Sequence, residues 1–367
     1  MSACDACLRR AHLIGLLAPR VAGLLEKPRR RPAGLLALPE GQLVAAIAGE
    51  REDEVRLALQ RFRPDEERER LRRLAVHPLC RHEASYPRPL EDLEDPPAVL
   101  FSTASSPLPE RDPAVTVVGT RAASTYGLEV AYELGRGLGA AGVTVVSGLA
   151  LGIDAAAHRG CLDAGGSAAA VLGGGVDVPY PRQNLRLYRR LREEGAVLSE
   201  LPPGQRPYKW SFPARNRIMA GLAEMTLLVE AADPSGSLIT AEFARDLGRA
   251  VAAVPGRVTS RVSAGTNGLL RDGAIPVTCA QDVLDELFGV GMRTVPAETP
   301  REPLDAGLQK ILAGIEGGGS VGEMARAAGL SAGEARAALA RLEAAGLVRR
   351  SGLGAYERSA AGFAALR

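Results

Sequence analysis

From Val115 onward, short runs of apolar and β-branched residues alternate with stretches whose apolar positions recur at helical spacing. Val115–Thr120, Val143–Ser147, Ala168–Leu172, Ala196–Leu201, Thr226–Glu230 and Val251–Val254 predict strands, followed by Ile275–Thr278. Helical patterns such as Leu128 to Leu138 lie between most of them. Continuous apolar strands separated by helices predict an α/β fold with a parallel sheet covered on both faces. Such sheets bind ligands beyond the strand C-termini, near the point where the strand order reverses. Gly119, Gly148 with Gly152, Gly173–Gly175, Gly236 and Gly256 all fall at those ends. The dinucleotide fingerprint Gly-x-Gly-x-x-Gly is missing after the first run, which argues against a nicotinamide or flavin cofactor.

The flanks read differently. Leu13, Leu16, Leu17, Val21 and Leu24 recur at helical spacing, the run Glu26 to Pro32 interrupts them as a basic loop, and Leu35 to Ile47 and Val55 to Phe62 resume the pattern. Residues 1–75 therefore predict a helical domain of SAM or helix-hairpin-helix kind. Residues 83–114 are rich in proline and read as an extended arm with one short strand at Val99–Phe101. Residues 76–290 hold the sheet domain, and 291–303 form a linker. Residues 304–367 read as helices over Leu304 to Ile315, Val321 to Ala328 and Ala332 to Ala345, then a hairpin around Gly352–Gly354, the outline of a winged helix-turn-helix.

Composition narrows the chemistry. The formal net charge of +2 in 367 residues excludes a generally basic nucleic-acid binder, so an anion site must come from local clustering. Lysine occurs only at Lys27, Lys209 and Lys310 while arginine abounds. No apolar run reaches membrane-spanning length, and Pro19 and Arg20 cut short the apolar N-terminal stretch, leaving a poor signal peptide. Five cysteines without a regular framework fit a reducing cytoplasm.

Four stretches carry candidate chemistry. The junction Val115 to Gly127 ends an apolar strand at a glycine and leads through Arg121 into a helix. Free helix N-terminal amides and a guanidinium suit a phosphate, although an ordinary strand-to-helix turn would look the same. In Ser147 to His158, Asp154 and His158 stand at i and i+4. A general base oriented by a carboxylate is one reading, and a structural hydrogen bond between the two is preferred because no nucleophile is near in sequence. In Gln205 to Arg217 four cations alternate with Tyr208, Trp210 and Phe212, and no acidic residue occurs between Glu200 and Glu224. Phosphate-pairing cations interleaved with rings favour single-stranded nucleic acid. Pro213 predicts that Phe212 is extended, projecting its ring between the cations. Finally, Cys4 and Cys7 form a Cys-x-x-Cys pair, and Cys80 with His82 forms a second chelating pair. Together they could close one tetrahedral zinc site, or they could be unrelated residues at two surfaces.

Several motifs occur in order: Gly119–Thr120–Arg121 with Ser124, Tyr126 and Gly127; Ser147–Gly148–Leu149–Ala150 with Gly152–Ile153–Asp154 and His158; Tyr180–Pro181 with Asn184; Ser199–Glu200; Phe212–Pro213 with Arg215–Asn216–Arg217; Ser235–Gly236–Ser237; Val254–Pro255–Gly256; and Gly265–Thr266–Asn267. In this set the chain resembles the DNA-processing protein A family, DprA/Smf, closely over about Tyr86 to Leu287. Thr120 stands where serine is commoner, and the segment after Phe101 lacks the family's usual glycine. The resemblance implies an extended Rossmann-like domain that binds single-stranded DNA without turnover, as a cytoplasmic homodimer that loads RecA recombinase onto incoming strands during natural transformation. It carries a DNA site over to Arg121, Lys209, Phe212, Arg215, Asn216 and Arg217, and further to Ser147, Gly148, Ser235 and Asn267. The rival is a Rossmann-like nucleoside-phosphate hydrolase using Glu200 or Glu230, although the Pro-Gly-Gly-x-Gly-Thr phosphate loop is absent. The third helix of the winged outline carries Glu334, Arg336, Arg341 and Glu343, too balanced a set to favour duplex DNA.

Overall fold

The computed structural model describes residues 3–24, 36–104, 113–296, 304–315, 320–345, 347–350 and 356–358. The basic loop Glu26 to Pro32, most of the linker and the hairpin turn at Gly352–Gly354 lie outside them. The chain divides into two compact units, Met1–Val295 and Pro296–Arg367.

In the first unit, β1 (His77–Cys80) and β2 (Val99–Ser102) precede β3 (Ala114–Val118), β4 (Thr144–Ser147), β5 (Ala168–Val171), β6 (Ala196–Ser199), β7 (Met225–Leu228), β8 (Ala250–Ala253) and β9 (Ile275–Pro276). They form one sheet in the order β1-β2-β6-β5-β4-β3-β7-β8-β9. All pairs from β6 to β9 are parallel, and β1 and β2 extend the sheet as an antiparallel edge. The expected strands are present with their ends shifted by a residue or two. After β3 the chain steps outward through β4, β5 and β6, then returns to place β7 on the other side of β3. That reversal puts the loops after β3, β4 and β7 around one crevice.

The helices are α1 (Asp5–Leu24), α2 (Glu40–Ile47), α3 (Glu52–Arg61), α4 (Pro64–Arg73), α5 (Thr125–Ala140), α6 (Ile153–Asp163), α7 (Leu185–Glu194), α8 (Ser211–Leu222), α9 (Gly236–Asp246), α10 (Ala264–Arg271) and α11 (Ala280–Phe288). Strand residues alternate between the two covered faces. Val115, Val117 and Val145 pack with Ala131, Leu134 and Leu138 of α5. Ala114, Val118 and Val146 pack with Ile218 and Met219 of α8. Small residues let helices meet closely: a Cβ on Gly160 of α6 would lie 1.9 Å from the Tyr132 carbonyl of α5.

The N-terminal helices share their cores with the sheet unit. Leu13, Leu17 and Val21 of α1 pack with Leu43, Ile47 and Leu59, and that cluster continues into Leu201, Trp210 and Ala214. Ala3, Cys7, Leu8 and Ala11 join the sheet core beside Val99 and Phe101. Pro19 interrupts the apolar pattern but not the helix, since α1 runs through it.

The second unit holds α12 (Ala306–Gly314), α13 (Val321–Ala328), α14 (Ala332–Ala344) and the antiparallel pair β10 (Val348–Arg350) and β11 (Tyr356–Arg358). Its core gathers Leu308, Ile311, Leu312, Met324, Leu339 and Leu342. Ser320 with Glu323, and Ser331 with Glu334, form capping boxes that start α13 and α14.

Candidate nucleic-acid interface

The crevice at the strand C-termini opens as a cleft of about 720 Å³. Arg121 from the β3 loop, Gly148 and Leu151 from the β4 loop, Tyr180 and Arg182 from the segment before α7, and Phe212 and Arg215 of α8 line it. Among the described residues no carboxylate lines this depression. A second hollow of about 400 Å³ shares Arg121, Phe212 and Arg215 and continues to Asn216, Ser235 and Gly236.

Arg121 is exposed. Its guanidinium carbon lies 5.3 Å from the Phe212 ring centroid, within cation–π range. Phe212 and Tyr180 are a tilted ring pair with centroids 5.5 Å apart. Tyr180 is 46% exposed and Phe212 is half-buried, so both offer ring surface to the cleft. Phe212 is not extended: it occupies the first turn of α8, where Pro213 is tolerated because early helical amides lack intrahelical partners anyway. The helix, and not strand alternation, aims the ring.

Arg215 forms the buried wall. Its Nη1 donates to the carbonyls of Gly148 and Val171, at the C-terminal ends of β4 and β5, and its Nη2 lies 4.0 Å from Asp154. Burial lowers its pKa to about 10, so the guanidinium stays charged at neutral pH. Gly148 is required beside it, since a Cβ there would sit 2.2 Å from the guanidinium. In the same loop Leu149 adopts φ 55, a left-handed conformation unusual for leucine, and its carbonyl accepts from the Asn184 amide at 2.9 Å. Asn216 donates to the Gly236 carbonyl at 3.1 Å, tying α8 to the start of α9. Ser235 caps α9 and contacts Ser237, and nothing crowds Gly236.

Other expectations are corrected. Arg217 does not reach the cleft: it is 2% exposed and pairs at 2.8 Å with both Asp95 and Glu200. One helical step of two residues turns its side chain to the opposite side from Arg215. Ser147 is fully buried and donates to the Val117 carbonyl, bracing adjacent strands. Asn267 both donates to and accepts from the Gly256 backbone at 3.1 Å, and it lines neither hollow. Trp210 is buried in the N-terminal bundle, where its indole N–H donates to the Ala18 carbonyl at 2.9 Å. Tyr208 packs against the same cluster, with Arg206 over its ring. Lys209 is exposed just before α8, outside the residues lining the cleft.

The helix start after β3 is also not free for a phosphate. Ser124 caps α5, and Glu230 accepts from the Ser124 amide at 2.9 Å and from its hydroxyl, so an internal carboxylate already answers those donors. The expected hydrogen bond between Asp154 and His158 is replaced as well. Asp154, in the first turn of α6, folds back to accept from the Gly148 and Ala150 amides at 3.1 and 3.3 Å. Both ring nitrogens of His158 are buried without a hydrogen-bond partner among the described residues. Burial, aided by the nearby Arg215, depresses its pKa to about 3 and keeps it neutral. Glu200 and Glu230, the carboxylates of the hydrolytic alternative, are both buried and engaged by internal partners.

Cys4, Cys7, Cys80 and His82 do come together, with their ligand atoms all within 4.8 Å of one another. This cluster joins α1 to the sheet edge.

Against known proteins, the model of the family described as DNA recombination-mediator protein A matches residues 77–288. The chain belongs to that family. A putative DNA processing protein DprA from Mycobacterium tuberculosis is 42% identical over 278 residues, covering 74% of this chain and 72% of that protein. DNA processing protein DprA from Streptococcus pneumoniae is 45% identical over 201 residues, covering 55% and 71%. The crystal structure of the Streptococcus pneumoniae protein superposes with a TM-score of 0.61 at 33% identity, covering 78% of this chain and 99% of that one. DNA processing protein A from Helicobacter pylori, whose structure is described for its single-stranded DNA binding mode, matches with a TM-score of 0.51 at 29% identity, covering 58% and 95%. The family segment contains every cleft residue named above and both members of the second chelating pair, Cys80 and His82, but neither Cys4 nor Cys7.

Sequence reasoning missed Tyr180, Leu151 and Arg182 as lining residues of this cleft. Tyr180–Pro181 was visible as a motif, and its aromatic-cation spacing was a usable signal. Nothing along the chain indicated that its ring would meet Phe212, which lies across β6 in sequence.

Proposed function

We propose that this chain binds single-stranded DNA across the cleft, prefers it to duplex, reads little sequence and performs no turnover. The observation that carries the reading is the wall made by exposed Arg121 over the Phe212 ring, with Tyr180 beside it and no lining carboxylate. Rings supply base-stacking surface that every base can use, and unpaired guanidinium supplies phosphate contact. Arg215 adds fixed positive charge from behind, and Asn216 and the Ser235–Gly236 turn frame the second hollow. Lys209, exposed just before α8, is a further phosphate contact that the family resemblance implies. The Helicobacter relative described as binding single-stranded DNA supports the assignment.

The family membership supports a role in DNA processing in which the bound strand is protected and handed to RecA recombinase, with a homodimer as the working unit in the cytoplasm. No helix among the described residues is long and apolar enough to cross a membrane. Three helices followed by an antiparallel pair support a winged-helix reading of the second unit. Its α14 presents both charge signs and suits protein contacts better than duplex readout.

The test is anisotropy of labelled oligo-dT and of blunt duplex of equal length at two salt concentrations. Single strands should bind more tightly, and affinity should fall steeply with salt through counterion release. Arg121→Ala should lower the salt slope by about one unit while leaving the fold intact. Equal affinity for the duplex would overturn the proposal.

A further inference from the structure

We propose that Cys4, Cys7, Cys80 and His82 hold one Zn²⁺ as a closed structural site that clamps the start of α1 to the edge of the sheet. Cys4 directly precedes α1 and Cys7 lies in its first turn, while Cys80 ends β1 and His82 follows two residues later. Cys4 Sγ and Cys7 Sγ each lie 3.4 Å from His82 Nδ1. Cys80 Sγ lies 3.6 Å from Cys4 Sγ and 3.7 Å from His82 Nδ1. A tetrahedral ion with Zn–S of about 2.3 Å and Zn–N of about 2.05 Å places its sulfurs about 3.8 Å apart and sulfur from nitrogen about 3.6 Å apart. These four separations come close to the edge lengths of a zinc tetrahedron, and all four ligand atoms lie within 4.8 Å of one another.

Other reasons for the cluster fit less well. A disulfide needs sulfurs about 2.05 Å apart and would join only two of the groups. Apolar packing of buried cysteines gives no reason to aim an imidazole nitrogen at three sulfurs. Three thiolates and an imidazole in tetrahedral array favour zinc among common divalent ions, and four protein ligands leave no open position for catalysis. The position of Cys4 is set independently: Arg68 of α4 donates to the Ala3 carbonyl at 2.9 Å, and the Leu8 amide donates to the Cys4 carbonyl at 3.0 Å.

The clamp has a consequence for the cleft. The helix it anchors also carries Ala18, whose carbonyl holds the Trp210 indole, and Trp210 immediately precedes α8 with Phe212 in its first turn. Zinc at one end of α1 thus steadies the packing that aims the cleft ring.

The experiment is metal analysis of full-length protein purified without chelator and with equimolar zinc supplied, together with zinc-edge X-ray absorption. About one zinc per chain is expected, with three sulfurs and one nitrogen around it. Cys80→Ser should cut the zinc content at least about tenfold, and Cys279→Ser, outside the cluster, should leave it unchanged. His82→Cys should keep zinc in a four-sulfur shell, which separates loss of a ligand from loss of the fold. Chelation should lower the melting temperature of the wild-type protein and not that of folded Cys80→Ser. Wild-type protein that takes up no zinc, or zinc content indifferent to Cys80→Ser, would overturn the proposal.

Discussion

Arg121 and Arg217 both stand in motifs of the family, and the fold uses them in opposite ways. Arg121 is exposed over an aromatic ring, in a cleft that no carboxylate lines among the described residues. Arg217 is buried between Asp95 and Glu200, from the proline-rich arm and the end of β6. A guanidinium in the first setting keeps its donors for a ligand. In the second setting every charge is spent on joining the arm, the sheet and α8, and removing one partner leaves a carboxylate buried and unanswered. Arg215 lies between these extremes: it fastens α8 to the ends of β4 and β5, yet its charge still faces the cleft. The contrast teaches that a cation's role follows from its burial and its carboxylate partners, which a motif does not encode.

The sharpest way to break this contrast is Arg217→Met. It should cost about 3–5 kcal/mol of stability by stranding Asp95 and Glu200, read as a lower urea midpoint. DNA affinity of the fraction that remains folded should be little changed. A folded, stable Arg217→Met protein with weakened DNA binding would instead put Arg217 in the interface.

A second effect, spread over several pH units, tests the buried imidazole near Arg215. His158 has its pKa depressed to about 3 by burial, while the unfolded chain would hold it at its ordinary value of about 6.5. The unfolded state therefore binds a proton that the folded state refuses as pH falls through that window. The stability is complete above about pH 6.5 and declines by at most about 1.4 kcal/mol per pH unit down to about pH 3, beyond which this group adds no further loss. His158→Leu should flatten this part of the acid limb in denaturant titrations, because its imidazole has no hydrogen bond to lose. An unchanged acid limb in a folded variant would show that His158 is already protonated in the native protein.

The cleft side of the comparison is sharpened by Phe212→Leu. Leucine keeps much of the apolar volume but has no aromatic face. Affinity for oligo-dT should fall by roughly 1–3 kcal/mol, with the melting temperature nearly unchanged. Early melting with unchanged affinity would assign the ring to packing and move the stacking role to Tyr180, since Trp210 is committed to the N-terminal bundle.

Much of the architecture was legible along the chain. Apolar β-branched runs separated by helical periods specify parallel strands covered on both faces, because each strand must bury both of its alternating sides. Gly119 and Gly148 marked the crevice for a related reason, since a Cβ at either would run into Ile153 or Arg215. Paired chelating spacings brought Cys4, Cys7, Cys80 and His82 forward as a group, and the fold does assemble them.

What the sequence could not decide was the direction of side chains within a dense motif. Arg215, Asn216 and Arg217 are adjacent in the chain, but a helix rotates each residue by about 100°, so neighbours face different partners. Those partners come from far away: Gly148 and Val171 for Arg215, Gly236 for Asn216, Asp95 and Glu200 for Arg217. The same holds for Trp210, claimed by Ala18, and for the meeting of Tyr180 with Phe212. Local pattern determines which element a residue joins, because periodicity is a property of neighbouring positions. Whether its charge or ring serves the fold or a ligand is decided only when packing brings distant residues beside it and sets what water can still reach.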